Sequence, residues 1–147
     1  MSLSVTVFRL DDRPFLDAPP ADVGSTRFDE WCVEAERRCL FEAPIAANGV
    51  LHRWWCTPSL ALGGHLIPAI YDAGLTCQGD DLSLLGGELT ALERHWVEAV
   101  GDDERMGCSI DGRRFEVPLL VHLTERASHL RSAIRIATTV PGELRIS

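Results

Sequence analysis

The sequence predicts a single α+β domain over residues 1–147, with a mixed or antiparallel sheet of about four to five strands packed against three to four helices. Three observations support this class. Apolar and polar residues alternate near the N-terminus, which is typical of a half-buried strand. Two long segments repeat apolar residues every three or four positions, as amphipathic helices do. The pair Asp111-Gly112 separates two short runs and predicts a hairpin.

The first 44 residues predict a strand, a loop and a helix. Residues 3–7 alternate and predict the strand. Three prolines and several acids within residues 11–24 predict a surface loop. Thr26 can cap a helix, and Pro44 is expected to stop it. The apolar face of this helix consists of Phe28, Trp31, Cys32, Ala35 and Cys39.

The central part of the chain predicts a turn, a strand and two helices. Asn48-Gly49 predicts the turn, and residues 50–56 predict a strand that ends before Pro58. Residues 66–73 predict a short helix. The clearest helix covers residues 81–100, because its leucines and Trp96 follow helical spacing.

The C-terminal part predicts a hairpin, a long helix and a final edge strand. The hairpin flanks Asp111-Gly112, Pro118 opens the helix, and residues 143–146 return as the strand. We expect the two long helices to bury their apolar stripes against each other. The stripes are Leu85, Leu89, Leu92 and Trp96 in one helix, and Leu119, Leu123, Leu130 and Ile134 in the other.

The composition excludes several functions. All 14 basic side chains are arginine, so no Schiff-base lysine or phosphate-binding Walker lysine exists. The scarcity of Lys, Asn and Tyr is typical of high-GC bacterial coding sequences. A formal net charge of −8 disfavours nucleic acid and anionic membrane surfaces as partners, and favours a cationic protein. The glycine pairs match neither a P-loop nor a dinucleotide-binding turn.

The cysteines and the N-terminus predict a cytoplasmic protein. Five cysteines without paired spacing form a poor disulfide framework. The N-terminal residues lack the basic and apolar regions of a signal peptide, and no apolar run approaches the length of about 20 residues that a membrane span needs.

Two groups of residues could carry chemistry. His122, Glu125 and His129 share one side of the last long helix, as metal ligands or an acid–base pair would. Their spacing differs from H-E-x-x-H, and a solvated helix flank explains it better, since a metal site needs three or four convergent ligands. His52 and Cys56 lie four residues apart and could form a dyad, although buried cysteines commonly fill cores. The sequence assigns no catalytic residue, metal or cofactor.

More residues of the sequence are candidates for binding a partner protein than for catalysis. The acidic run Asp102, Asp103 and Glu104 follows a helix C-terminus, where the helix dipole disfavours acids. Asp80 and Asp81 form a second acidic group at the start of the same helix. The remaining candidates are Trp54 and Trp55, one of which would face outward from a strand and could anchor an interface.

The function expected from these features is non-enzymatic binding of a cationic toxin or enzyme, as bacterial immunity or antitoxin-like inhibitors do. Two alternatives remain open. One is a small enzyme or ligand-binding domain that uses His52 or the group His122, Glu125 and His129. The other is a homodimeric structural or regulatory subunit that associates through an edge strand or a helix face.

Overall fold

The computed structural model describes residues 2–147 and confirms the α+β class. Its strands are β1 (Ser2–Arg9), β2 (Phe41–Ala47), β3 (Leu75–Cys77), β4 (Arg105–Ile110), β5 (Arg113–Pro118) and β6 (Gly142–Ile146). Four of them form an antiparallel sheet in the order β2-β1-β6-β3. The hairpin β4-β5 is a separate sheet of two strands.

Residues 2–147 contain seven α-helical segments. They are α1 (Arg13–Leu16), α2 (Thr26–Arg38), α3 (Asn48–Val50), α4 (Thr57–Ala61), α5 (Leu66–Ala73), α6 (Asp80–Ala99) and α7 (Leu119–Thr139). A π-helical turn, Leu51–Cys56, joins α3 directly to α4. Among residues 2–147, no helix has the length and apolar character needed to cross a membrane.

The core lies between the long helices and one face of the four-stranded sheet. Helix α7 packs on β1, β2 and β6, and α6 packs against α7. The predicted pairing of two apolar stripes is confirmed, because both stripes enter the same buried cluster and Ile134 lies at its margin. The alternating residues of β1 also enter this cluster, as the pattern over residues 3–7 predicts.

The other face of the sheet carries a cluster of charges. Glu143 on β6 is only 1% exposed. Its carboxylate accepts a hydrogen bond from Arg145 Nε at 2.5 Å and lies 3.7 Å from Arg13 Nε. Arg145 also donates to Asp17 at 3.2 Å. A buried carboxylate needs such partners, so this cluster fixes α1 to β6.

The prediction of a strand over residues 50–56 is wrong, because these residues are helical. The side chain of Trp55 is fully buried and meets Trp96 edge-on, with ring centroids 5.0 Å apart. A helical turn brings Leu51, Trp55 and Cys56 to one buried side, whereas a strand would divide neighbouring residues between two faces. Asn48-Gly49 accordingly begins a helix and forms no hairpin turn.

Two strands lack a prediction from the sequence. Pro44 lies within β2 and ends no helix, since α2 already stops at Arg38. A proline is tolerated there because β2 is an edge strand. Strand β3 has only three residues and pairs solely with β6, which makes β6 a central strand and the prediction of an edge strand wrong.

The remaining boundaries agree closely with the sequence. Ser25 caps α2, because its side chain accepts a hydrogen bond from the Phe28 N–H at 3.2 Å, so the predicted cap at Thr26 is displaced by one residue. Asp111 and Gly112 adopt φ angles of +52° and +77°, as the predicted hairpin turn requires.

We predict that Leu89→Ala lowers the free energy of unfolding by about 2–5 kcal/mol, because it removes buried contacts and leaves a cavity. The matched control is Leu84→Ala in the same helix, where Leu84 is 61% exposed and the change should stay within about 0.5 kcal/mol. Urea denaturation of both variants measures the difference. Equal midpoints would contradict the packing described above.

Candidate protein-interaction surface

The acidic residues Asp102, Asp103 and Glu104 form an exposed loop between α6 and β4, called here the acidic loop. Two backbone hydrogen bonds hold it in place. The Glu104 N–H donates to Gly101 at 3.0 Å, and the Leu119 N–H donates to the Glu104 carbonyl at 2.9 Å. The loop is therefore fixed between the end of α6 and the start of α7.

The charges of the acidic loop have no partner within residues 2–147, because none of the ion pairs there includes Asp102, Asp103 or Glu104. The last turn of α6 carries no basic residue either. Acids beyond a helix C-terminus face the negative end of the dipole. The dipole of α6 therefore gives no reason for these charges to stand here, although the backbone of Glu104 also contacts the start of α7.

Asp80 and Asp81 occupy the first turn of α6, at the opposite end of the helix. The dipole favours acids at this position, so helix stability explains them. A helix of 20 residues is about 30 Å long, and a single compact surface cannot include both acidic groups. The structure thus separates the two groups that the sequence offered as candidates.

The two tryptophans lie on the π-helical turn and serve the core. Trp55 is fully buried, and Trp54 is half-buried at the margin of the core cluster. The backbone carbonyl of Trp54 accepts a hydrogen bond from Trp96 Nε1 at 2.6 Å. The Arg53 guanidinium lies 5.1 Å from the Trp54 ring. Among the predicted interaction residues, the acids are the ones that stand fully at the surface.

The histidines of α7 lie beside the edge of β2. His129 Nδ1 donates to the Pro44 carbonyl at 2.8 Å, and Arg126 donates to the same oxygen at 3.3 Å. His122 lines a hollow of about 150 Å³, where burial and then the charge of Arg126 lower the pKa of its ring. Glu125 is exposed. Within residues 2–147, no three His, Cys, Asp or Glu side chains are placed to hold a metal ion.

His52 and Cys56 lie on the π-helical turn. The Cys56 thiol donates to the Ile67 carbonyl at 3.3 Å, and burial raises its pKa. The exposed His52 ring contacts Tyr71, with centroids 5.0 Å apart. A nucleophilic cysteine needs a lowered pKa and a nearby base. The environment of Cys56 instead raises the pKa of its thiol.

An unpredicted contact occupies the N-terminus of α5. The Glu88 carboxylate on α6 accepts hydrogen bonds from the N–H groups of His65, Leu66 and Ile67, the last at 2.8 Å. A side chain at Gly64 would overlap Ser59 and crowd Glu88, which explains the glycine. The helix start that could receive an external anion already binds the chain's own carboxylate.

The hairpin β4-β5 carries an exposed apolar face that the sequence analysis missed. Its outer part includes Ile110, which is 60% exposed, and Phe115, which is 41% exposed. A hollow of about 510 Å³ lies against the middle of the hairpin. Apolar residues alternate with polar ones in both strands, and the register of the hairpin places these apolar residues on the same face. The acidic loop leads directly into this hairpin.

No family model, curated protein or solved structure matches this chain.

We predict that Cys56 and Cys77 react slowly with iodoacetamide in the folded protein. Burial, followed by the charges of Asp81 and Glu88, raises the pKa of Cys77 to about 11, and burial also raises the pKa of Cys56. Little reactive thiolate is then present at pH 8. Peptide mass spectrometry should show earlier labelling of the half-buried Cys108. Fast labelling of Cys56 would instead indicate an activated thiol.

We predict that Glu88→Ala lowers the free energy of unfolding by about 1–2 kcal/mol, because the α5 N–H groups lose their acceptor. Glu88→Gln is the matched control and should cost less, since its amide oxygen can still accept. Guanidinium denaturation compares the two variants. Similar stability for Glu88→Ala and the unchanged protein would show that water satisfies the helix start equally well.

Proposed function

We propose that this chain is a non-enzymatic protein-binding domain that binds a cationic protein through the acidic loop, as bacterial immunity and antitoxin-like inhibitors do. The observation that carries the proposal is the position of three exposed acids without ion pairs at the C-terminal end of α6. The dipole of α6 makes this position unfavourable, so a role in binding accounts for the charges better than the stability of α6 does.

The arrangement suits electrostatic recognition. The backbone bonds of Glu104 order the acidic loop before any partner arrives, so binding costs little additional conformational entropy. Clustered acids accelerate the encounter with a basic surface and orient it. The net charge of −8 extends this attraction over the whole molecule. A nuclease or another enzyme that binds polyanions presents such a basic surface, and carboxylates can occupy the place of phosphates.

The same charges disfavour nucleic acid and anionic membranes as partners. A cytoplasmic location, which the unpaired cysteines favour, would bring the chain together with an intracellular target. The enzyme alternative gains no support from the contacts of Cys56 and His129, because both residues bond to backbone carbonyls.

We predict that a variant with Asp102→Asn, Asp103→Asn and Glu104→Gln binds its cationic partner with a slower association rate, most clearly at low salt. Folding should be unaffected or slightly improved, because the dipole disfavours these acids. The matched control is Asp80→Asn with Asp81→Asn, which removes charge at the other end of α6 and should leave association nearly unchanged. The product of the gene next to this one is the first partner to test.

Surface plasmon resonance over a series of salt concentrations measures these rates, and circular dichroism checks the fold. If the two variants slow association equally, net charge alone explains the attraction and the acidic loop is not the site. If neither variant nor salt changes the rate, the electrostatic proposal fails.

A further inference from the structure

The hairpin β4-β5 stands apart from the body of the protein and has two free edges. It forms its own sheet of two strands, so the outer edge of each strand has no strand beside it. Its main contact with another element is at the base, where β5 meets α7. An isolated hairpin of two strands is marginally stable in water, and a free edge can pair with another strand.

The two faces of the hairpin differ in character. The cross-strand pairs Met106 with Val117 and Cys108 with Phe115 share one face, which is apolar. Gly107 with Glu116 and Ser109 with Arg114 share the other, which is polar. Met106 packs at the margin of the core, so the apolar face extends outward from the core along the hairpin.

The register shows which backbone groups of β5 point outward. Ile110 and Arg113 close a turn of two residues and exchange hydrogen bonds with each other. The pattern then alternates, so Phe115 bonds inward to Cys108, whereas the N–H and C=O groups of Arg114 and Glu116 point to the free edge. The two outward-facing residues carry opposite charges. Arg105 of β4 reaches Glu116, with its Nη2 3.4 Å from the Glu116 carbonyl and its Nε 3.8 Å from the carboxylate, and a second copy would compete with this exposed contact.

We infer that two copies of this chain associate through their β5 strands, antiparallel and centred on Phe115. A two-fold axis at Phe115 places Arg114 opposite the partner's Glu116, and Glu116 opposite the partner's Arg114. The same residues supply four backbone hydrogen bonds and two ion pairs. On the apolar face, Phe115 lies opposite the partner's Phe115 in a closely spaced pair. The two hairpins then form one sheet of four strands.

Neighbouring registers are less favourable. An axis at Arg114 would place two arginines opposite each other, and an axis at Glu116 would place two glutamates opposite each other. A parallel pairing in register would repeat both conflicts. Like charges directly opposite destabilise a sheet. Charges on an edge usually prevent association, but those of β5 are complementary to a second copy in one register.

The start of α7 is compatible with this register. This helix begins at Leu119 without a side-chain cap and without an acid in its first turn. If the inferred register is continued past the end of β5, the partner's turn residue Asp111 lies at the level where the helix begins. A carboxylate is favourable near a helix N-terminus. The second copy would therefore bring a carboxylate near a helix start whose first N–H already donates to the Glu104 backbone carbonyl.

Strand β4 is the weaker candidate. Its Met106 and Cys108 are half-buried, whereas all of β5 except Val117 is exposed. Self-pairing of β4 around Cys108 would oppose Gly107 and the partner's Ser109, which contribute little packing. The native Cys108 also reports on this alternative, because such pairing would bring two Cys108 thiols together.

The first test uses charge reversal and sedimentation velocity over a range of concentrations. The unchanged protein should form a dimer, and Arg114→Glu or Glu116→Arg should each raise the dimer dissociation constant roughly tenfold or more, by opposing like charges twice. An equimolar mixture of these two variants should dimerise again, because each pair then unites Arg and Glu. Arg113→Glu is the matched control and should not weaken the dimer, since its opposite residue is the partner's Val117.

The second test uses a disulfide. Phe115→Cys with Cys108→Ser should give an oxidised dimer on non-reducing gels, because the residue on the axis meets its own copy. Arg113→Cys with Cys108→Ser should give little. Circular dichroism verifies that each variant folds.

A monomeric unchanged protein at all concentrations would overturn the inference. So would a dimer that is indifferent to both charge reversals, or one that crosslinks through the native Cys108. These measurements need no cationic protein, so their outcome is independent of the proposed function.

Discussion

The insertion of β6 between β1 and β3 is the constraint on which the rest of the structure depends. Strand β3 pairs with no other strand, so the sheet is incomplete until the C-terminal residues are in place. One face of β6 supplies Leu144 and Ile146 to the core under α7, and the other buries Glu143 among arginines. A Cβ on Gly142 would lie 2.9 Å from the Phe8 carbonyl, so only glycine allows this close approach.

This arrangement separates the molecule into a body and an appendage. The body consists of the sheet, α6 and α7, and its strand order joins the two ends of the chain, because β1 pairs with β6. The segment from the acidic loop to the end of β5 interrupts the sequence between α6 and α7 and adds little to the core. Substitutions there change surface chemistry with small effects on stability, so interaction functions can reside there without harm to the fold.

The sequence predicts the long elements well because their patterns are long. Helices α6 and α7 repeat their apolar residues over five turns, and Asp111-Gly112 defines the hairpin locally. The strand prediction for residues 50–56 is wrong because aromatic residues favour strands only on average. In the folded protein, the contact of Trp55 with Trp96 stabilises a helical conformation instead. Strand β2 alternates only over its first five residues, since Ile45 and Ala46 are both buried, and Pro44 further hides the pattern by resembling a helix stop. Strand β3 is too short to leave a pattern.

The candidate site also has features that the local sequence predicts and features that it does not. The exposure of the acidic loop follows from local sequence, because acids after a glycine at a helix end have nowhere to be buried. The capping of α5 by Glu88 and the binding of Pro44 by His129 depend on residues more than 20 positions apart, so no local pattern reveals them. Both contacts use polar side chains that sequence analysis treats as candidates for chemistry.

The segment Arg114-Phe115-Glu116 becomes informative only when the register of the hairpin is known. Its opposite charges around one aromatic residue are unremarkable in the sequence and occur in many exposed strands. The turn at Asp111 determines that Arg114 and Glu116 point outward, and the strand order determines that no strand of the same chain lies beside them. Under the two proposals, charge in this protein serves two separable purposes. The acidic loop presents one sign and suits a foreign basic surface, whereas β5 presents both signs symmetrically and suits a copy of itself. A partner that bound the acidic loop would thus meet a dimer with two such loops, and its apparent affinity would then depend on whether both can be reached at once.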